Sequence, residues 1–308
     1  SNVAQSEEFM NVLRGYFPDG SKPAVAIQGG WHNPGWELTF NGPKGADVLY
    51  AFGDAKQRTT IKLAHGTAVR KTLSKIEREY KLVRQKIDGK KTWSTSRLAA
   101  IGYFELTNRN GEIFLHEHCF LLNLTLRPDG KWVCLDTNEL FQKQKSLSAY
   151  FLKTYANELE RHAGLEIEHR PDEPWNFRVK HVPDGLCELF STRRAEVLEG
   201  MEKLGKSDSI TAEKVARETR LPKSAFEGAS LATLTKSWKE LAEANGYDVE
   251  ALQSLRKLRT LANTHEVSPE KIEKLVTTCA EKLAKEQGDF TKGQLEEKAL
   301  SASLRVPE

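Results

Sequence analysis

Two β-forming runs on either side of a turn constrain this chain more than any other feature in it. Leu98–Thr107 and Leu115–Arg127 are rich in aliphatic and aromatic residues, and the polar segment Asn108–Phe114 between them carries Asn-Gly at 110–111. Asn-Gly is a strong hairpin signal because both residues tolerate positive φ. The two runs are therefore expected as neighbouring antiparallel strands. Side chains alternate across a strand, so His116 and His118 project to one side and Glu117 to the other. Glu105, near the end of the first run, comes close to the histidine pair once the chain has turned back.

The rest of the chain sets that hairpin in a mixed fold. Trp36–Phe40 alternates as a strand, and Thr59–Leu82 places Ile61, Ala64, Ala68, Leu73, Ile76 and Tyr80 roughly on one helical face. Trp132–Leu135 reads as a short strand after Pro-Asp-Gly at 128–130. Ser148–Ala163 reads as an amphipathic helix ending at Gly164, and Glu166–Glu168 and Phe177–Val179 as further strands. Lys81–Lys91 reads as a basic helix end and turn on a solvated surface. Beyond about residue 200 the pattern is helical, over Ile210–Glu218, Leu231–Asn245, Val249–Ala262 and Pro269–Glu286, the last with serine at its cap and proline in its first turn. The expected architecture is α+β. A central antiparallel sheet flanked by helices occupies residues 1–203, and a mainly helical extension follows over 204–308.

Composition narrows the partners without naming one. Of the 308 residues 39% are hydrophobic, enough for a sizeable core, and 46 Lys and Arg stand against 43 Asp and Glu, a formal net charge of +3. That balance identifies no nucleic-acid partner; local clustering matters more. Lys44, Arg97, Arg109, Arg178, Lys180, Arg193 and Arg194 are the basic positions that a single strand could follow. Trp31, Trp36 and Trp175 are flat faces for its bases; the other reading is solvated cations and core tryptophans. Cys119, Cys134, Cys187 and Cys279 show no CxxC spacing, which fits reduced thiols in a cytoplasmic protein. No apolar run approaches the ~20 residues that span a bilayer, so no membrane partner is expected.

Two imidazoles and a carboxylate make a plausible open site for a divalent cation, although two histidines on a sheet surface need bind nothing. Glu37, a lone acid in an otherwise apolar strand, either faces outward or is set against a cationic or metal-bound group. A different class, the iron oxygenases with a facial triad, would place its carboxylate inside the H-x-D/E motif on the histidine side. Glu117 inverts away from that side.

Ordered blocks then resemble the TrwC/TraI-type conjugative relaxases, a family of the two-histidine (HUH) endonucleases. Phe9–Gly20 resembles the family's LL-x-G-x-x-P-D-G segment, and His32–Lys44 its H-R-P-G-x-D-L-T-F-S-A-P-K block. Ala64-His65 with Ala68-Val69 resembles A-H-x-x-A-V. Glu105–Arg109 stands in the place of H-x-T-S-R, His116-Glu117-His118 in that of H-T-H, Asn123 in that of the following Asn, and Phe190–Arg194 in that of F-S-x-R-x. Thr219-Arg220 and Gly246-Tyr247-Asp248 resemble the end of the domain. The resemblance spans most of residues 9–250.

That resemblance implies metal-dependent, site- and strand-specific nicking of plasmid single-stranded DNA at an origin of transfer, by transesterification to a tyrosine. It implies His116 and His118 as metal ligands with Glu105 where a third histidine usually stands, and Glu37 as a catalytic support that orients a ligand histidine or assists the tyrosine. Lys44, Arg109, Arg178, Arg193 and Arg194 are implied as DNA-binding residues. Other transfer proteins of a relaxosome are implied as partners, with an ATP-dependent helicase downstream. A carboxylate at 105 favours Mg²⁺ or Mn²⁺, and related two-histidine nickases tolerate a third ligand other than histidine. The family's nucleophilic tyrosines precede the block matched by residues 9–20, and Tyr16 is not expected to replace them. Ser1-Asn2 resembles a protease-cleavage scar, which places the native start upstream. The polypeptide is then expected to bind metal and DNA without cleaving; the alternative is a catalytically inactive, relaxase-like DNA-binding module.

Overall fold

The structure is a computed structural model describing residues 3–21, 33–127, 129–169, 176–205, 211–212, 214–215, 229–252 and 269–303. Its elements run α1 (Val3–Leu13), β1 (Gly35–Asn41), α2 (Lys44–Phe52), α3 (Ala55–Glu79), β2 (Val83–Ile87), β3 (Lys90–Ser94), β4 (Ala100–Thr107) and β5 (Ile113–Leu122). They continue with β6 (Thr125–Leu126), β7 (Trp132–Val133), α4 (Asn138–Gln142), α5 (Gln144–Glu158) with a π-helical end over Leu159–Ala163, β8 (Ile167–His169) and β9 (Phe177–Val179). Helices α6 (Asp184–Leu189), α7 (Thr192–Lys203), α8 (Leu231–Ala244), α9 (Pro269–Gln287) and α10 (Lys292–Ser303) complete the described chain.

The central sheet has the order β1-β5-β4 and is antiparallel throughout, so the fold is α+β as the sequence predicts. β5 is hydrogen-bonded along both edges, which makes its side chains the most firmly placed of the three strands. Its residues at odd positions form the buried face. Ile113, Leu115 and Cys119 pack with Leu49 of α2, Ile61 and Ala68 of α3 and Tyr155 of α5. Leu121 joins an adjoining cluster with Ile76, Tyr80 and Leu140. Each aliphatic side chain fully withdrawn from water contributes on the order of 2 kcal/mol.

The helices that cover this face are written for it. In α3 the buried positions Ile61, Ala64, His65, Ala68, Val69, Thr72 and Ile76 recur at helical spacing. Its start is capped by Asp54, which accepts the Gln57 N–H at 2.7 Å. In α2 every residue after Lys44 is buried, the mark of a helix enclosed on all sides. At the head of β1, a Cβ on Gly35 would lie 2.1 Å from the Leu121 carbonyl oxygen, so only glycine admits the pairing there.

Several sequence expectations shift. The run Leu115–Arg127 is not one strand. It ends at Leu122, where Asn123 turns inward, donating to the Asn33 carbonyl at 3.0 Å and accepting the Leu135 N–H at 2.9 Å. The basic segment Lys81–Lys91 is not a helix end: α3 stops at Glu79 and the chain forms the hairpin β2–β3 around Asp88-Gly89. Both turn residues have positive φ, 49° and 78°, as a tight two-residue hairpin requires. Ile210–Glu218 and Val249–Ala262 lie mostly outside the described residues, and Trp31 and Trp175 wholly outside them.

The change of composition near residue 203 does not separate two cores. Leu234, Trp238 and Ala242 of α8, with Val249 and Leu252, belong to the same cluster as β5 and α3. Trp238 Nε1 donates to the Gly111 carbonyl at 2.8 Å, tying α8 to the β4–β5 turn. Further on, α10 packs on α5 and its Glu296 meets Lys75 of α3 at 2.8 Å. All four cysteines are free thiols. Among the described residues no helix is long and apolar enough to cross a membrane.

Candidate metal centre and nucleic-acid face

The even-numbered face of β5 is the open one, and it carries Phe114, His116, His118 and Phe120. Register sets β4 and β1 around it. Glu105 pairs with His116 and Tyr103 with His118 on one side, and Thr39 pairs with His118 on the other. Glu105, His116 and His118 therefore converge, and one donor atom from each lies within 4.8 Å of the other two. Glu105 Oε2 stands 3.4 Å from His116 Nε2 and 3.8 Å from His118 Nε2. A cation about 2.1 Å from each donor needs donors roughly 3–3.5 Å apart, so a small closure of the half-exposed Glu105 would complete a site.

The far nitrogen of each ring decides what the near one can do. His116 Nδ1 lies 3.0 Å from the Phe114 carbonyl, which can only accept, so Nδ1 carries the proton and Nε2 keeps its lone pair. His118 Nδ1 faces the Glu37 carboxylate in a short contact, with the same result. Both Nε2 lone pairs thus point toward the Glu105 side, the usual orientation of metal-bound histidines held by outer partners. His116 is only 6% exposed, and burial holds its pKa below the ordinary histidine value, outweighing the opposing Phe114 hydrogen bond. The neutral form that can ligate is favoured. Glu117 points through the sheet instead, its carboxylate 3.6 Å from His65 Nδ1. The oxygenase arrangement, with its acid on the histidine face, is absent from this strand.

His65 is a core residue, as its place on the buried face of α3 implies. It is fully enclosed, its Nε2 faces the Phe40 carbonyl at 3.2 Å, and the rings of Phe104, Phe151 and Tyr155 surround it. Lys44 is also held inward: its ammonium binds the Ile113 carbonyl, lies over the Phe114 ring and stands 3.7 Å from Asp47. At 18% exposure it props the start of β5 rather than standing in an open groove. Asp47 beneath it is fully buried with no hydrogen-bond partner for either oxygen, and burial pushes its pKa up to about 8 against the pull of Lys44.

The other basic positions do not form one group. Arg178 pairs with Asp184 at 3.0 Å and Arg193 with Glu196 at 2.9 Å. Arg109 sits in the β4–β5 turn. Arg194 lines a cavity of about 670 Å³ that also takes in Trp36 through Gly42 and Phe141. That cavity runs along the outer edge of β1, which pairs with no strand among the described residues, and Glu37 borders it. Trp36 is half-buried on the core side of the sheet, against the cluster of Ile76 and Leu121.

Two features were missed in the sequence, and both had signals. Tyr103 shares the site face by simple alternation. It is 50% exposed and stacks nearly parallel on His118, centroids 4.9 Å apart and planes 19° apart. The hairpin β2–β3 announces itself through Asp88-Gly89 between two alternating runs. Its register pairs Arg84 with Trp93 and Lys86 with Lys91, so one face of a protruding ribbon gathers three cations and an exposed indole.

A model of the TrwC relaxase family matches residues 1–245. The chain is similar to the multifunctional conjugation protein TraI of Escherichia coli, 23% identical over 296 residues that cover 92% of this chain and 16% of that protein. It is similar to the TraI protein of Escherichia coli strain K12 at 24% over 251 residues, 79% of this chain and 14% of that protein. The chain thus spans about one sixth of the length of the curated relatives it matches. Among solved structures it is similar to the conjugative relaxase TrwC in complex with oriT DNA in a copper-bound form. There the TM-score is 0.67 and the identity 26%, over 79% of this chain and 82% of that one. It is likewise similar to TrwC complexed with a 27-mer DNA comprising the recognition hairpin and the cleavage site, with a TM-score of 0.67 and 27% identity over 79% and 86% of the two chains.

Proposed function

The chain belongs to the TrwC relaxase family, and from that premise we propose that it is the DNA-processing region of a conjugative relaxase acting in the cytoplasm on the single-stranded origin of transfer of a plasmid, with other relaxosome proteins as partners. The observation that carries the reading is the pair of Nδ1 hydrogen bonds, to Phe114 and Glu37, that turns two imidazole lone pairs toward one carboxylate. Glu105, His116 and His118 would hold a divalent cation. Two nitrogens with a hard, half-exposed oxygen suit Mn²⁺ or Mg²⁺. When bound, such an ion supplies Lewis acidity toward the non-bridging oxygens of a phosphodiester.

The protein's own groups do the rest. Glu37 fixes the tautomer and the ring plane of His118 and stands beside the cavity at the edge of β1. The reaction is exchange of one phosphate ester for another. A tyrosine oxygen bonds to phosphorus, the bond to the 3′-oxygen breaks, and the phenolic proton passes to solvent as the 3′-oxygen gains one. For this polypeptide the commitment is to metal and DNA binding; cleavage requires a tyrosine hydroxyl delivered to the open face. DNA contacts are assigned to Arg109, Arg178, Arg193 and Arg194 and, on charge and exposure, to Arg84, Lys86 and Lys91 of the β2–β3 ribbon. Lys44 supports the strand from within.

The test is calorimetric titration of Mn²⁺ into the chain and into His116→Ala/His118→Ala, with circular dichroism to check that both fold. Binding to the unaltered chain and none to the variant is expected. Equal affinity of the two would refute the metal site.

A further inference from the structure

The site face does not end at the metal-binding cluster. Along β4 the side chains Ile101, Tyr103 and Glu105 step across one face at intervals of about 6.6 Å, two residues at a time. Register sets Ile101 opposite Phe120 and Tyr103 opposite His118. Beside the three polar donors there is therefore an apolar strip of Ile101, Tyr103 and Phe120 with no acid in it. Ile101 is 41% exposed and Tyr103 50%, high values for large side chains in the middle of a paired sheet. An exposed apolar strip continuous with a polar cluster marks a surface that something covers. Tyr103 is also held in orientation. Its ring lies nearly parallel to His118, and Glu37 fixes His118 in turn. One face of the phenol ring is covered by the imidazole, and the exposure of the residue lies on the rest of it.

A planar ring, fixed edge-up beside a cluster that would hold a phosphate, has the geometry of a base-stacking platform. We propose that Tyr103 is the platform for the nucleobase next to the phosphate held at Glu105, His116 and His118, so that the order of layers is imidazole, phenol, base. This deepens the reading given under Proposed function and rests on it. The work is done by the ring face, so phenylalanine replaces tyrosine and an aliphatic residue does not.

The test uses the full chain and a short single-stranded dT oligomer carrying one 2-aminopurine, titrated with Mn²⁺ and again in EDTA. Tyr103→Leu is expected to bind the oligomer about tenfold more weakly, in both conditions, and to lose the fluorescence quenching that stacking gives. Tyr103→Phe is expected to keep affinity within about twofold and to keep the quenching, which also shows that the position tolerates replacement. If the unaltered chain fails to bind the oligomer, the reading of this face as a single-strand site is what fails. If it binds and Tyr103→Leu binds equally well with quenching intact, the platform alone is refuted. A loss seen with Mn²⁺ but not in EDTA would make the ring a brace for His118 and would equally overturn the proposal.

Discussion

Glu37 governs which nitrogen of His118 is available, and it does so from a neighbouring strand through a single charge-assisted hydrogen bond. Glu37→Gln keeps an acceptor but loses the charge that makes the imidazole a better donor to a cation. Mn²⁺ affinity is expected to fall at least about tenfold, within the 10–100-fold span usual for outer partners of metal histidines, as read by calorimetry. A change under about twofold would mean that the carboxylate does not support the site. Asp47 makes the opposite kind of statement. Its folded-state pKa is raised to about 8 from 3.8, so the folded chain keeps a proton that the unfolded chain releases. The stabilising contribution is complete below about pH 3.8 and is lost as pH rises toward about 8. Asp47→Asn does not titrate, so across that window the variant should gain on the unaltered chain by on the order of a few kcal/mol, measured by urea unfolding near both ends. Parallel stability curves would show that Asp47 is ionised in the fold.

The hairpin β2–β3 is an element whose sequence opposes its own stability. Lys86 and Lys91 face each other directly, and like charges in that position destabilise a ladder. A ribbon that keeps such a pair, with Arg84 beside it, is disposed toward an anionic surface. Lys86→Ala/Lys91→Ala is expected to leave unfolding midpoints unchanged or slightly raised. Its DNA affinity should drop, with the slope of log affinity against log salt shallower by about 0.7–0.9 for each phosphate that is no longer neutralised. An unchanged salt slope would return this face to the solvent. The sequence carried the turn signal here, but the run of lysines looked equally like the frayed end of α3. Only the stop of that helix at Glu79 settled which it was.

At the scale of the molecule, one core serves both the sheet and the C-terminal helices. Trp238 fills it and caps the β4–β5 turn through its indole N–H, so the hairpin that carries the metal residues is braced by a helix more than a hundred residues away. A chain ending at Lys203 would expose Leu49, Ile61 and their neighbours where Leu234 and Trp238 now pack. Such a chain is expected to unfold without cooperativity, whereas Trp238→Ala in the full chain should remain folded but less stable by about 3–5 kcal/mol. Cooperative unfolding of the truncated chain with undiminished stability would show that the two parts are independent.

What the residues alone determined is whatever depends on local periodicity. Strand alternation placed His116 and His118 together and Glu117 apart, Asn110-Gly111 turned the chain back, and helical spacing assigned α3. Those relations span a few residues and follow from backbone geometry. Tertiary structure decided the relations between distant segments: Glu37 against His118, Tyr103 stacked on the same ring, Lys44 drawn inward to the Ile113 carbonyl and Trp238 under the turn. Each depends on the register of strands and the docking of helices. Register and docking are set by how the whole apolar surface closes, and no window of sequence contains that information.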